Sequence, residues 1–440
     1  MTDTIAAIST PFGEGAIALL RLSGPQAVEI AMAIFRSRKP VAKLAPRTQH
    51  FGPVFDGQRK LDDVLLTIFR APHSYTGEDV VEIACHGGVL VTRRILEALL
   101  RAGARSADPG EFTQRAYLHH KMDLTQAEAV MDLISAQTDL AMRAASEQLE
   151  GRLGQHIRGL RETIIELLAN VEAFIDFPDE DIDPDTGEKL LTKLDAARAE
   201  MDSLLATADR GKVLREGVRT VIYGAPNVGK SSLLNLLLGH ERAIVSARPG
   251  TTRDVIEETI NLGGLPIRLI DTAGVRESDD EIEREGMKRT WQELSRADLA
   301  LHVFDASQPP AESANGAGVT VLNKSDLGEH PGWGEVEAVR ISCLKGEGID
   351  TLTDAIVARV TGGVAAQRDW SLAINARHAD CLRRARSYID AARIAFVDGM
   401  SSEFIAEELR AALDAVGEVV GKVDTEEILG KIFSTFCIGK

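Results

Sequence analysis

No stretch of this 440-residue sequence approaches the roughly 18 consecutive apolar residues that a membrane-spanning helix needs. Its first residues, Met1-Thr-Asp-Thr-Ile, lack the basic stretch and apolar run of a signal peptide, so a cytoplasmic protein is expected. The four cysteines, Cys85, Cys343, Cys381 and Cys437, form no C-x-x-C pair. That argues against a disulfide framework and a structural zinc site, and it fits a reducing compartment. Positive charge is in deficit, with a net charge of -17. A chain that wraps nucleic acid is usually basic overall. Any contact with RNA or DNA therefore needs a local Lys/Arg patch or a partner subunit.

What remains is an ordinary globular composition, 44% hydrophobic and 27% charged, with length for two or three domains. Residues 1–118 carry short apolar runs bounded by Gly and Pro, Ile17–Leu22 and Val64–Phe69, and a helical stretch Val89–Leu100. These predict a mixed α and β N-terminal domain. From 119 to 210 apolar residues recur at three- and four-residue steps, which predicts helices. Residues 216–362 alternate strand runs (Thr220–Tyr223, Ile267–Ile270, Leu299–Phe304, Val319–Leu322, Val339–Ile341) with helices, predicting a doubly wound, mostly parallel sheet. Residues 370–440 are helical again. The simplest architecture inserts the α/β domain into one helical domain made of 119–210 and 370–440.

Gly224-Ala-Pro-Asn-Val-Gly-Lys-Ser231 matches the phosphate-binding loop pattern between an apolar strand and an apolar helix. Glycines let backbone N–H groups of Asn227, Val228, Gly229, Lys230, Ser231 and Ser232 face phosphates at a helix N-terminus. Lys230 would reach the β- and γ-phosphates, and the Ser231 hydroxyl would bind Mg²⁺. Downstream, Asp271-Thr272-Ala273-Gly274 ends a strand and would serve the metal's outer shell and the γ-phosphate. Thr252, after Thr251, is the expected switch ligand to Mg²⁺. Asn323-Lys324-Ser325-Asp326 supplies a carboxylate that pairs with guanine's ring N–H and amine, selecting GTP over ATP. Ser342-Cys343-Leu344 would offer a backbone amide to the guanine oxygen. Five motifs in this order at strand ends predict a GTP-hydrolysing enzyme.

A further absence is informative. Ras-like enzymes place a glutamine after Asp-Thr-Ala-Gly to orient the attacking water. Here the residue is Val275, which cannot hydrogen-bond water. The acidic stretch Asp279–Glu283 reads equally as a solvated helix start and as a source of catalysis.

Outside these motifs, Gly77-Glu-Asp-Val-Val-Glu82, His86-Gly-Gly88, Pro109-Gly-Glu-Phe-Thr113, Lys121-Met-Asp-Leu-Thr-Gln-Ala-Glu-Ala129, Asp176-Phe-Pro178 and Phe436-Cys-Ile-Gly-Lys440 resemble the MnmE (TrmE) family of tRNA-modification GTPases from end to end. The resemblance implies an N-terminal folate-binding domain, a helical domain with an inserted GTPase domain, and a homodimer formed through the N-terminal domains. It further implies a flavin-dependent partner, MnmG, and tRNA as substrate. The pair would add an aminomethyl or carboxymethylaminomethyl group to C5 of the wobble uridine, with tetrahydrofolate (5-formyl or methylene form) supplying one carbon. By motif, Arg21, Glu82, Lys121 and Lys440 correspond to folate contacts. The family's GTPase domains meet across the nucleotide in a K⁺-dependent way. Asn227 matches the residue tied to K⁺, and the loop Ser246-Ala-Arg248-Pro-Gly-Thr251 would wrap the ion. Glu283 matches the glutamate that orients water.

Other motifs lead elsewhere. Asp181-x-Asp183-x-Asp185 has its glycine and closing residue out of place for a calcium loop. His119-His120 has no partner cluster and reads as a surface pair. Cys437 stands where a prenylated cysteine would, but Gly439 and Lys440 do not fit that box. Its thiol is either reactive near folate or a packing group. A GTPase switch with no chemistry on RNA would carry the same five nucleotide motifs; the N-terminal domain and the Cys437–Lys440 tail discriminate between the two.

Overall fold

The computed structural model describes residues 3–37, 43–176, 188–240, 258–270, 292–310, 318–362, 372–421 and 426–440. The chain forms two compact units. One comprises Met1–Met131, Gly154–Arg158 and Val416–Lys440; the other comprises Asp132–Leu153 and Gly159–Ala415.

In the first unit six strands, β1 (Ile5–Ile8), β2 (Ile17–Ser23), β3 (Gln49–Asp56), β4 (Arg59–Phe69), β5 (Val80–His86) and β6 (Arg105–Ser106), make a sheet in the order β3-β4-β5-β2-β1-β6. All pairings are antiparallel except β1 with β6. Alternation along β4 buries Val64, Leu66 and Ile68 while Leu65 stays exposed. The buried row packs with Leu20, Leu22 and Ile83 against helices Ala27–Ile34 and Val89–Arg101. Each buried Leu or Ile there contributes about 1.5–3 kcal/mol.

The Lys121–Ala129 motif is partly a helix start. Asp123 Oδ1 accepts from Gln126 N, and Gln126 Oε1 accepts from Asp123 N, both at 3.0 Å, a reciprocal cap on Leu124–Ser135. That helix packs with Phe433 and Phe436 of the C-terminal segment.

In the second unit β7 (Val218–Tyr223), β8 (Glu258–Leu262), β9 (Leu265–Ile270), β10 (Leu299–Asp305), β11 (Val319–Asn323) and β12 (Val339–Arg340) follow the order β12-β11-β10-β7-β9-β8. Every pairing is parallel except β8 with β9. From the central β7 the chain builds outward on one side through β9, then on the other through β10. That reversal opens a crevice at the carboxyl ends of the strands. The same unit holds helices Glu188–Leu205 and Ala376–Val397, which bury Leu190, Leu194 and Met201 on one and Leu382, Ala385 and Ile389 on the other. Arg393–Asp195 and Arg386–Asp202 pairs, each 2.8 Å, tie the two helices together. Among the described residues no helix is long and apolar enough to cross a membrane.

Candidate functional site

The phosphate loop follows β7 directly, and the helix Lys230–His240 follows the loop. Asn227 takes the left-handed conformation at φ 61°, which turns the chain toward the helix. At Gly229, φ is 100° and a Cβ would overlap the Asn323 side-chain amide, so only glycine fits. Lys230 Nζ donates to the Ala225 carbonyl at 2.8 Å, and burial pushes its pKa below the ordinary lysine value. A phosphate there would favour the charged form again.

Asn323, almost wholly buried at the end of β11, joins three motifs. Its Nδ2 donates to the Val228 carbonyl at 2.8 Å, and its Oδ1 accepts from Cys343 N at 3.1 Å. Lys324 is also left-handed, at φ 65°, and its ammonium pairs with Asp305 Oδ2 at 2.7 Å. Burial pushes the Asp305 carboxyl upward, but Lys324 and Ser307 outweigh it and hold the group below its ordinary value. Ser342 Oγ donates to Asp326 Oδ1 at 2.6 Å, which orients the carboxylate and leaves its second oxygen for a ligand. Leu344 stands exposed beside them. The ends of β7, β11 and β12 thus bring Asn227–Ser232, Asn323–Asp326 and Ser342–Leu344 to one rim of the sheet. Sequence reasoning missed Asp305; the only signal was an acid closing an apolar strand. Ser246, Arg248, Thr251, Thr252, Asp271, Thr272, Ala273, Gly274, Val275, Glu283 and the Asp181–Asp185 stretch lie outside the described residues.

The first unit gathers the other candidates. Arg21 and Glu82 are cross-strand neighbours on β2 and β5, with Nη2 to Oε1 at 2.7 Å. The guanidinium lies 5.4 Å from the Tyr75 ring centroid and 5.8 Å from that of Phe112. Tyr75 is fixed by a 2.9 Å hydrogen bond to Thr113 Oγ1. Phe112 N donates to the Lys440 carbonyl at 3.1 Å, tying the C-terminal segment to the residue whose ring lies near Arg21. Gly439 reaches in because its φ is 98° and a Cβ would meet Ile8 O; its own carbonyl accepts from Ser9 Oγ at 3.0 Å. Lys121 Nζ donates to the Pro72 carbonyl at 3.0 Å, on the loop that carries Tyr75. Cys437 is exposed. A hydrogen-bonding ion pair between two aromatic rings fits a flat heterocycle bearing N–H groups and a carboxylate tail.

Known proteins match this chain over its whole length. A family model described as the MnmE helical domain matches residues 124–437, and one described as the GTP-binding protein TrmE N-terminus matches residues 4–121. The tRNA modification GTPase MnmE of Akkermansia muciniphila is 51% identical, covering 100% of both chains. That of Aquifex aeolicus is 45% identical, again over 100% of each. Among solved structures, the G domain of the T. maritima FeoB iron transporter is 27% identical at a TM-score of 0.23, covering 98% of that chain but 32% of this one. The two MnmE relatives match over the whole length, whereas the FeoB domain matches about a third of it.

Proposed function

The chain belongs to the MnmE (TrmE) family of tRNA modification GTPases, and from that premise we propose that it hydrolyses GTP in modification of the tRNA wobble uridine. The observation that carries this reading is Asn323, whose one side chain ties the phosphate loop to the guanine-reading loop. Asp326 selects guanine, and Lys230 holds the β- and γ-phosphates. Ser231 and Thr252 are the residues that would hold Mg²⁺, which when bound neutralises phosphate charge. Asn227, exposed in its left-handed turn, suits an oxygen ligand to K⁺, together with the Ser246–Thr251 loop and its Arg248. That ion would supply the positive charge an arginine finger gives elsewhere. Glu283 takes the water-orienting role that Val275 cannot.

Arg21, Glu82, Lys121 and Lys440 would hold a tetrahydrofolate, which supplies a one-carbon unit when bound. In this reading Glu82 accepts from the heterocycle's N–H groups, and the cations meet its carboxylate and formyl oxygens. Exposed Phe51 and Leu65, cross-strand neighbours on β3 and β4, with half-buried Ala84 beside them on β5, offer an apolar face for a second copy. MnmG and tRNA complete the assembly, in the cytoplasm. The test is GTP turnover by the purified chain with K⁺ or Na⁺ as the only monovalent cation. Replacing K⁺ by Na⁺ should slow turnover about tenfold or more, since the smaller ion fits the loop poorly and a weakly held transition-state charge is worth more than 1.4 kcal/mol. Equal rates would remove the potassium role.

A further inference from the structure

Among the described residues, four that are not glycine hold a left-handed backbone: Arg47, His120, Asn227 and Lys324. Two of them sit in the nucleotide site. The other two, Arg47 and His120, flank the loop Arg70–Asp79 in the first unit, with no part in the function described so far. Residues held this way concentrate at binding sites. Arg47 is fixed by a 2.8 Å hydrogen bond from its N to the Ile68 carbonyl, and its guanidinium reaches the His73 carbonyl at 3.3 Å. Lys121 reaches the carbonyl of the preceding residue, Pro72, at 3.0 Å. His119 Nδ1 meets the Thr76 carbonyl at 2.8 Å, and His120 stands exposed beside it.

These cations differ from most in the chain. Arg47 and Lys121 have only carbonyl partners and no carboxylate among the described residues. The acids of the same loop and strand are already matched: Asp79 by Arg70, Glu78 by Arg115 and Glu82 by Arg21. A rim of uncompensated positive charge therefore survives in a protein of net charge -17. It comprises Lys121, a candidate folate contact, and Arg47.

We propose that this rim binds the γ-linked polyglutamate tail of the folate, so that the chain's folate substrate is the polyglutamylated form. The proposal rests on the folate reading above. Lys121 takes the first glutamate, and Arg47 takes the carboxylates that follow. The two cations are anchored on consecutive carbonyls of one loop, Pro72 and His73, within reach of successive carboxylates on one tail.

The experiment is calorimetric titration of the full chain with tetrahydrofolate carrying one or five γ-linked glutamates, repeated for Arg47→Gln. Pentaglutamate should bind about three- to tenfold more tightly at low salt, as expected for two exposed charge pairs, and the gain should shrink as salt rises. Arg47→Gln should lose most of that gain and keep the monoglutamate affinity, which also reports that the variant is folded. Arg47→Lys should restore part of it. Equal affinity for the two ligands, or an undiminished gain in Arg47→Gln, overturns the proposal. Equal affinity combined with weaker tRNA retention by Arg47→Gln would overturn it in favour of an RNA surface. Failure of both folates to bind would instead bring down the folate reading itself.

Discussion

At the scale of single residues, Asn323 concentrates the most consequence in the least surface. It is buried and makes hydrogen bonds to two loops distant in sequence. Truncation leaves the Val228 carbonyl and Cys343 amide without it, which costs about 1–3 kcal/mol. Asn323→Ala should weaken GDP binding by roughly five- to 150-fold in a fluorescence titration. An unchanged affinity would mean that the loops hold their places independently. A second residue-scale consequence concerns Asp3 and Glu111. Burial pushes both carboxyls upward, but Arg105 and Arg115 outweigh it and hold both below their ordinary values of 3.8 and 4.5. A depressed folded-state pKa gives stabilisation that is complete above the ordinary value and is lost as pH falls below it. Urea unfolding of the first unit should therefore weaken between about pH 5 and about pH 3, and Arg115→Met should flatten that dependence. A pH-independent midpoint in the parent chain would refute the linkage.

At the scale of elements, the phosphate loop was legible in sequence because its chemistry needs a fixed local spacing. The strands Ile17–Ser23 and Leu299–Asp305 were legible as buried apolar runs. The strands Gln49–Asp56 and Glu258–Leu262 were not, because they are half exposed and interrupted by polar residues. Contacts that depend on folding escaped altogether. Nothing in the spacing of Gly229 and Asn323 indicates that a methyl group on one would strike the other. Gly229→Ala should therefore raise strain by about 1–3 kcal/mol and lower the melting temperature of the nucleotide-bound protein. An unshifted melt would mean that Asn323 swings aside freely. His119-His120 was likewise read as an idle surface pair, and only the fold brings His119 to the Thr76 carbonyl of the loop Arg70–Asp79.

At the scale of the whole molecule, two chemistries share one chain. The crevice at the ends of β7, β11 and β12 is proposed to read guanine and phosphates, and the Arg21–Glu82 pair near two aromatic rings is proposed to hold a folate. A GTPase switch without RNA chemistry would need only the first. The sequence separated these readings through its N-terminal motifs and the Phe436–Lys440 tail, and the fold ties that tail to Phe112. The account's central claim is that GTP hydrolysis here serves wobble-uridine modification. Its most direct test is mass analysis of tRNA wobble uridines from cells lacking the protein. Those cells should lose the C5 aminomethyl or carboxymethylaminomethyl group and regain it with the parent gene but not with Asn323→Ala. Unchanged wobble uridines in the deletion strain would contradict the account.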